Sequence, residues 1–315
     1  MIDMAVKVGS LTLANPVMPA SGTFAEGLGQ VIDLRRLGAF VTKTIWREVR
    51  VGNPLPRVVE RAEGLLNAIG NPSKGTEYFI KNVVPLYTGY GVPLVVSIAA
   101  PTAEEFDTVA AEFNGVEGVS AIEANISCPN IEADGRAFAM WAGTTETVVK
   151  GLRAATRLPL WVKLTPNAGD LQEVARAAEG AGADALVVAN TILAMGIDLE
   201  TFRPSLGNVL GGLSGPAVKP IVLRQVYQCA RAVDIPIIGC GGIVSGEDAA
   251  EYLLAGATAV QVGTATFVRP TAMIDVLTGL EAFCKRKGIS RVADLIHGVK
   301  IEEIDEGDVA WKAPQ

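Results

Sequence analysis

The sequence predicts an α/β protein, a (β/α)8 TIM barrel with extended loops over its C-terminal face. Three observations carry this reading. Eight short apolar runs recur along the 315 residues, helical patterns separate most of them, and the polar residues of each run gather near its C-terminal end. Several runs are continuously apolar rather than alternating, which suits strands buried on both faces of a parallel sheet. Strand and helix alternating eight times close into a barrel, expected here as one domain over residues 1–315. An open doubly wound sheet is the competitor, but no G-x-G-x-x-G follows the first run.

In chain order the runs are NPVMPAS (15–21), AFVTKTI (39–45), PLVVSIA (93–99) and AIEANIS (121–127), then LWVKLT (160–165), ALVVANT (185–191), IPIIGCGG (235–242) and AVQVGTA (259–265). Helical periodicity fills the intervals with AEEFDTVAAEF, TTETVVKGLRAAT, LQEVARAAEGAG, AVKPIVLRQVYQCARAV and GEDAAEYLLAGA. Two connections are long, residues 46–92 and 192–216. In a barrel both lie on the catalytic face, where extended loops cover a substrate.

Half the chain is apolar (49%), only 19% is charged, and glycine is abundant at 34 residues, which is a well-buried globular composition. The net charge of −7 and the lack of a basic stripe exclude nucleic acid as a partner. Nothing resembles a signal peptide or an 18-residue apolar span, so the chain reads as soluble, cytoplasmic and not membrane-bound. Cys128, Cys229, Cys240 and Cys284 contain no C-x-x-C pair, which argues against a zinc site or an iron–sulfur cluster. A single histidine, His297, leaves no His-based metal site and no Ser–His or Cys–His triad; it reads as a surface or capping residue. Cys229, Cys240 and Cys284 read as small core residues.

The polar ends of the runs are Ser21-Gly22, Lys43-Thr44, Ser97, Asn125 with Ser127, Lys163, Asn190-Thr191, Gly241-Gly242 and Gly263-Thr264. A barrel brings all of these to one mouth. Any one could be a strand simply turning polar as it meets water. Two lysines and two asparagines inside apolar runs are harder to dismiss, because burying such groups without partners is costly. The glycine-rich turns of the last two runs present bare backbone N–H groups, the usual phosphate site of such barrels. Asn67, Asn125, Asn130 and Asn190 offer paired amide donors and acceptors, which match a ring with alternating N–H and C=O groups. Lys43 could meet a negative charge. In EANISCPN (123–130), Cys128 is either a small hydrophobe in a turn or a thiol that moves protons.

Read in order, NPVMPASGTF, VTKT, REVRVGNPLPR, LLNAIG, NISCPN, KLTPN, GGLSGPAVKPIVLR and GCGGI…GTA resemble the catalytic, FMN-binding subunit of class 1B dihydroorotate dehydrogenases. The likeness runs from about residue 13 to 267. It implies one FMN per chain and the oxidation of (S)-dihydroorotate to orotate in pyrimidine biosynthesis. Cys128 would be the general base at C5 while a hydride passes from C6 to flavin N5. A thiol suits that task, since its reference pKa of about 8.5 lies far nearer neutrality than a serine hydroxyl's.

By the same resemblance, Lys43 would lie between flavin and substrate. Asn67, Ala68, Ile69, Gly70, Asn71, Asn125, Asn130, Asn190 and Thr191 would hold the pyrimidine and its carboxylate. Ser21, Thr44, Ser97, Asn125, Ala189 and Gly215 would contact the flavin, with Lys163 at its N1–C2=O edge. Gly241, Gly242, Gly263 and Thr264 would cradle the phosphate. Electrons would pass to NAD+ through a partner subunit carrying FAD and a [2Fe–2S] cluster, in a homodimer or heterotetramer. Three stretches depart from the family pattern: Asn71–Gly75 is shortened, Ser97 replaces a common asparagine, and Gly135–Glu146 is atypical. The rivals are a dihydropyrimidine dehydrogenase-type flavin domain and a flavin-free barrel lyase or isomerase acting on a phosphorylated substrate. The first is disfavoured by Asn130 in SCPN, the second by the cysteine loop and the asparagines.

Overall fold

A computed structural model describes residues 2–62, 64–127 and 137–301. All eight apolar runs enter one sheet: β1 (Val17–Pro19), β2 (Phe40–Val41), β3 (Leu94–Ile98), β4 (Val119–Ala124), β5 (Leu160–Lys163), β6 (Ala185–Val188), β7 (Ile237–Gly239) and β8 (Ala257–Val262). Every neighbouring pair is parallel, and the order round the sheet is 1-8-7-6-5-4-3-2. At the seam between β1 and β2 the Gly38 N–H reaches the Val17 carbonyl at 2.9 Å. The result is a nearly closed (β/α)8 barrel. The strands are shorter than the runs because the polar residues at each C-terminal end leave the ladder for the mouth. β3 shows why the runs are unbroken in hydropathy, since Leu94 to Ile98 is solvent-free throughout.

The helices are α1 (Thr76–Asn82), α2 (Val84–Thr88), α3 (Ala103–Glu112), α4 (Ala142–Ala155), α5 (Leu171–Gly180), α6 (Lys219–Ala230), α7 (Gly246–Leu254), α8 (Ala265–Val268) and α9 (Ala272–Lys287). Their starts follow local chemistry. The Thr102 and Asp170 side chains cap α3 and α5 by accepting the N–H of Glu105 and Glu173. Ser245 and Asp248 form a reciprocal capping box on α7. Among the described residues no helix is long and apolar enough to cross a membrane.

Both long connections rise over the C-terminal end and join in one antiparallel sheet. Its strands run in the order Ile192–Ala194, Gly211–Ser214, Gly64–Asn67 and Val58–Arg61. At the other end, the hairpin of Val6–Val8 and Leu11–Leu13 turns at Gly9 (φ +59°), which lies against Asp184 at the entrance to β6. That hairpin therefore closes the bottom of the barrel, and the mouth is left for chemistry.

Candidate active site

The amides and hydroxyls expected at the mouth form one chain of hydrogen bonds. Asn125, just past β4, donates from Nδ2 to Thr44 Oγ1 at 3.2 Å, and Thr44 Oγ1 meets Ser97 Oγ at 3.0 Å. Ser127 Oγ donates to Asn125 Oδ1 at 2.6 Å, and Asn190 Nδ2 donates to Ser127 Oγ at 2.6 Å. Asn190 Oδ1 in turn accepts the Thr191 N–H at 2.8 Å. The ends of β2, β3, β4 and β6 are thereby locked together, with each amide turned to one orientation. Ser97 is fully buried and meets Thr44 from behind. Ala189 follows β6 across a cis peptide from Val188.

Lys163, the last residue of β5, is 3% exposed. Its Nζ donates to Ser21 Oγ at 3.1 Å and to Gln261 Oε1 at 3.0 Å, so it spans from the end of β1 to β8. Lys43 approaches the same edge from β2: a methyl group on Gly22 would stand 3.9 Å from its Nζ. Gly22 itself has φ +84°, a conformation that favours glycine. The two lysines expected at the mouth thus both reach the Ser21-Gly22 turn.

The long connections add the upper wall. Asn67 lies opposite Gly212 in the antiparallel sheet, and its Nδ2 donates to the Gly212 carbonyl at 3.1 Å. A side chain on Gly212 would collide with Thr191. Asn67, Gly212 and Thr191 therefore converge from three segments. Ala68, Ile69 and Gly70 are held from below: Ala68 N–H donates to the Arg57 carbonyl at 2.8 Å, while Asn53 N–H reaches Ile69 O at 3.1 Å. Gly70 (φ +77°) packs against Asn53, and Asn71 has positive φ as well (+47°), so the Asn71–Gly75 segment begins with a left-handed turn.

The glycine-rich turns after β7 and β8 lie beside the Gly215 turn. Gly242 (φ +67°) lies so close to Gly215 that a methyl group would stand 2.9 Å from the Gly215 carbonyl oxygen and 2.8 Å from Lys219 Cβ. Gly215 has φ +107°, and Thr264 Oγ1 lies 2.7 Å from Ser214 Oγ, which ties the turn after β8 to the same place. Tyr252 Oη holds the Gly241 carbonyl at 2.6 Å. Gly215, Gly241, Gly242, Gly263 and Thr264 come together there, and at Gly241 and Gly242 a side chain would strike Val222, Lys219 or the Gly215 carbonyl. The Lys219 ammonium beside it is engaged by Asp248 at 2.6 Å and Glu251 at 3.0 Å. Burial tends to raise the Asp248 pKa, but Lys219 and the Val244 and Ser245 groups outweigh it and hold the carboxyl below its usual range.

Cys128 and Asn130 lie outside the described residues, as do Gly135 and Arg136 of the atypical segment. The chain enters that stretch from Ser127 and leaves it at Ala137, and Ala139 N–H bonds to the Ile126 carbonyl at 3.1 Å. Both flanks are therefore at the mouth. Trp141 is exposed at the start of α4. Cys229, Cys240 and Cys284 are buried in the core as expected. Burial pushes the Cys229 thiol up to about 12 and raises Cys240 and Cys284 too, so none is poised to ionise near neutrality. His297 is exposed with φ +59°, its N–H bonded to the Leu253 carbonyl behind α7.

The family profile described as dihydroorotate dehydrogenase matches residues 3–284. The chain belongs to the dihydroorotate dehydrogenase family. It is 50% identical over 295 residues to the dihydroorotate dehydrogenase B (NAD(+)) catalytic subunit of Trichlorobacter lovleyi, covering 93% of this chain and 97% of that one. It is 47% identical to the protein of the same name in Desulforamulus reducens, over 94% and 98% of the two chains. The protein so named in Bacteroides thetaiotaomicron is 43% identical, over 96% and 100%. Membership of the family implies a bound FMN. The residues present fit it: glycine backbone with no room for a side chain at Gly241 and Gly242 suits a phosphate, and a buried cation beside a hydroxyl suits an electron-rich ring.

Three contributors escaped the sequence reading. Asn167, in the KLTPN segment, donates to Thr165 Oγ1 (2.9 Å) and the Thr191 carbonyl (3.2 Å), and accepts the Leu193 N–H (2.8 Å). It fixes the turn that carries Asn190 and Thr191. Glu123 and Gln261 lie beneath Lys163 inside the barrel. The one available signal was a charged and an amide residue within otherwise apolar runs.

Proposed function

We propose that this chain is the catalytic subunit of an NAD+-linked dihydroorotate dehydrogenase. It oxidises (S)-dihydroorotate to orotate in pyrimidine biosynthesis, with residues 1–315 as one FMN-binding barrel domain. The observation that carries the reading is the convergence of Asn67, Asn125, Asn190 and Thr191 on the mouth that Lys43 and Lys163 approach. A dihydropyrimidine ring displays alternating N–H and C=O groups, and oriented amides match them in pairs. The names of the relatives support the substrate, the NAD+ linkage and the existence of a further subunit.

The chemistry supplied by FMN when bound is acceptance of a hydride. Lys163, Ser21, Thr44, Ser97, Asn125 and Ala189 would hold its ring, and Gly215, Gly241, Gly242, Gly263 and Thr264 its phosphate. Asn67 to Asn71, Asn125, Asn130, Asn190 and Thr191 would hold the pyrimidine, and Lys43 would face both ring and substrate. Cys128 would take the C5 proton. The described flanks support that role, since Ser127 is tied to both Asn125 and Asn190 immediately before it. The same reading places FAD and a [2Fe–2S] cluster on a partner subunit in the cytoplasm, within a homodimer or heterotetramer.

The deciding experiment mixes the purified protein anaerobically with dihydroorotate or dihydrouracil and follows the flavin band. A yellow protein bleached by dihydroorotate alone is expected. Bleaching by dihydrouracil alone would move the assignment to dihydropyrimidine oxidation. A protein that takes up no FMN would favour a flavin-free lyase or isomerase.

A further inference from the structure

Carboxylates are almost never fully buried unless paired, yet Glu123 is wholly out of solvent near the C-terminal end of β4. Its Oε2 accepts from Gln261 Nε2 at 2.6 Å. Its Oε1 has no hydrogen-bond partner among the described residues and lies 3.8 Å from Lys163 Nζ. Gln261 stands between the two charges, because its own Oε1 accepts from Lys163 at 3.0 Å. An ammonium and a carboxylate free to meet close to about 2.8 Å. The glutamine bridge holds them roughly an ångström further apart, and Ser21 Oγ draws the ammonium toward the end of β1.

We propose that Glu123 and Gln261 are positioning residues for Lys163. Glu123 anchors the lysine and sets how much of its charge is felt at the mouth. Gln261 keeps the ammonium raised toward Ser21, out of contact with the carboxylate. This rests on the reading of the mouth as an FMN site, with Lys163 beside the ring. A cation there favours the negative charge of the reduced ring. The two positioning residues then act with opposite sign. Without the Glu123 charge, less of the Lys163 charge is offset and reduction becomes easier. Without the Gln261 spacer, Lys163 collapses onto Glu123 and reduction becomes harder.

The test is the two-electron midpoint potential of the FMN-loaded protein, titrated anaerobically against a reference dye. Glu123→Gln is expected to favour reduction about tenfold, a rise of about 30 mV for a two-electron couple. Gln261→Met and Lys163→Met are both expected to lower the potential by at least that much. In the Glu123→Gln/Lys163→Met double variant the glutamate change should matter less than threefold, since Glu123 acts through Lys163. A merely structural role would not give opposite signs. The inference is overturned if Lys163→Met shifts the potential while Glu123→Gln and Gln261→Met do not, or if those two shift it the same way. Should Glu123→Gln fail to fold, Gln261→Met decides: a potential equal to wild type overturns the inference. A wild-type protein that takes up no FMN overturns the functional reading itself, and this inference with it.

Discussion

Ser127 joins Asn125 to Asn190: its hydroxyl donates to Asn125 Oδ1 and accepts from Asn190 Nδ2, each at 2.6 Å. Asn190 Nδ2 also reaches Asn125 Oδ1, at the longer distance of 3.4 Å. The hydroxyl therefore fixes both amides together with Thr44, which accepts from Asn125, and the Thr191 N–H, which donates to Asn190. Ser127→Ala removes a donor and an acceptor at once and leaves each amide held at one end only. Each lost hydrogen bond of this kind costs about 1 kcal/mol. The expected outcome is a kcat/KM for dihydroorotate lowered roughly 10- to 100-fold, with KM carrying much of the loss. Steady-state kinetics with a dye acceptor checks it, and an unchanged KM would remove Ser127 from the substrate wall.

The upper wall depends on the close approach of Gly212 to Thr191 and on its pairing with Asn67. Gly212→Ala forces a methyl group into Thr191, and overpacking of this kind costs about 1–3 kcal/mol. Part of that appears as lower stability and part as displacement of Thr191 from the substrate. We expect KM for dihydroorotate to rise at least fivefold. The added carbon would strike Thr191 Oγ1 and Cβ rather than its methyl group, so restoring space with Gly212→Ala/Thr191→Gly should recover some thermal stability in a melting experiment, whereas Gly212→Ala/Thr191→Ser, which keeps the hydroxyl, should recover less.

The sequence showed the barrel because most barrel-strand residues are buried on both faces, so hydropathy marks several of the runs without alternation. It showed much of the site for the same reason: Lys43, Lys163, Asn125 and Asn190 interrupt runs that are otherwise apolar. What it hid depends on register between distant segments. Nothing local to Gly212 says that it faces Asn67 across an antiparallel ladder. Gln261 and Glu123 are 138 positions apart, and only closure of the barrel puts an amide between a carboxylate and an ammonium. Asn167 was quoted in its motif and still missed, because its partners Thr191 and Leu193 belong to another loop.

Asp248 links the phosphate-side loop to α6 and α7. Its Oδ2 accepts from the Val244 N–H, the Ser245 N–H and Ser245 Oγ, each at 2.9 Å, and Oδ1 accepts from Lys219. Because its folded pKa is depressed, its contribution is present above the unfolded carboxyl value of about 3.9. That contribution is lost as pH falls through the lower folded value. Asp248→Asn is expected to cost about 1–2 kcal/mol at pH 7, the partial exposure of Lys219 limiting the figure. The gap between variant and wild type should shrink as pH drops below about 4, read by urea unfolding at several pH values. A gap constant with pH would show that the amide replaces the carboxylate in every contact.

The role proposed for Cys128 predicts a particular change with pH. A thiol base must be ionised to take the C5 proton, so bleaching by dihydroorotate should quicken as pH rises and level off above the thiol pKa, whose reference value is about 8.5. Cys128→Ser substitutes a far weaker acid, so at neutral pH bleaching should slow by about 10²- to 10⁴-fold, the usual span for losing a general base. Its rate should still be climbing at about pH 10, where the wild type has flattened. Anaerobic stopped-flow measures both profiles. The buried cysteines cannot stand in, since burial raises all three thiols, and with the nearby Asp170 charge it pushes Cys229 up to about 12. A serine variant with wild-type rates at neutral pH would require another base at the mouth, and Lys43, which approaches the Ser21-Gly22 turn, would be the next residue to substitute.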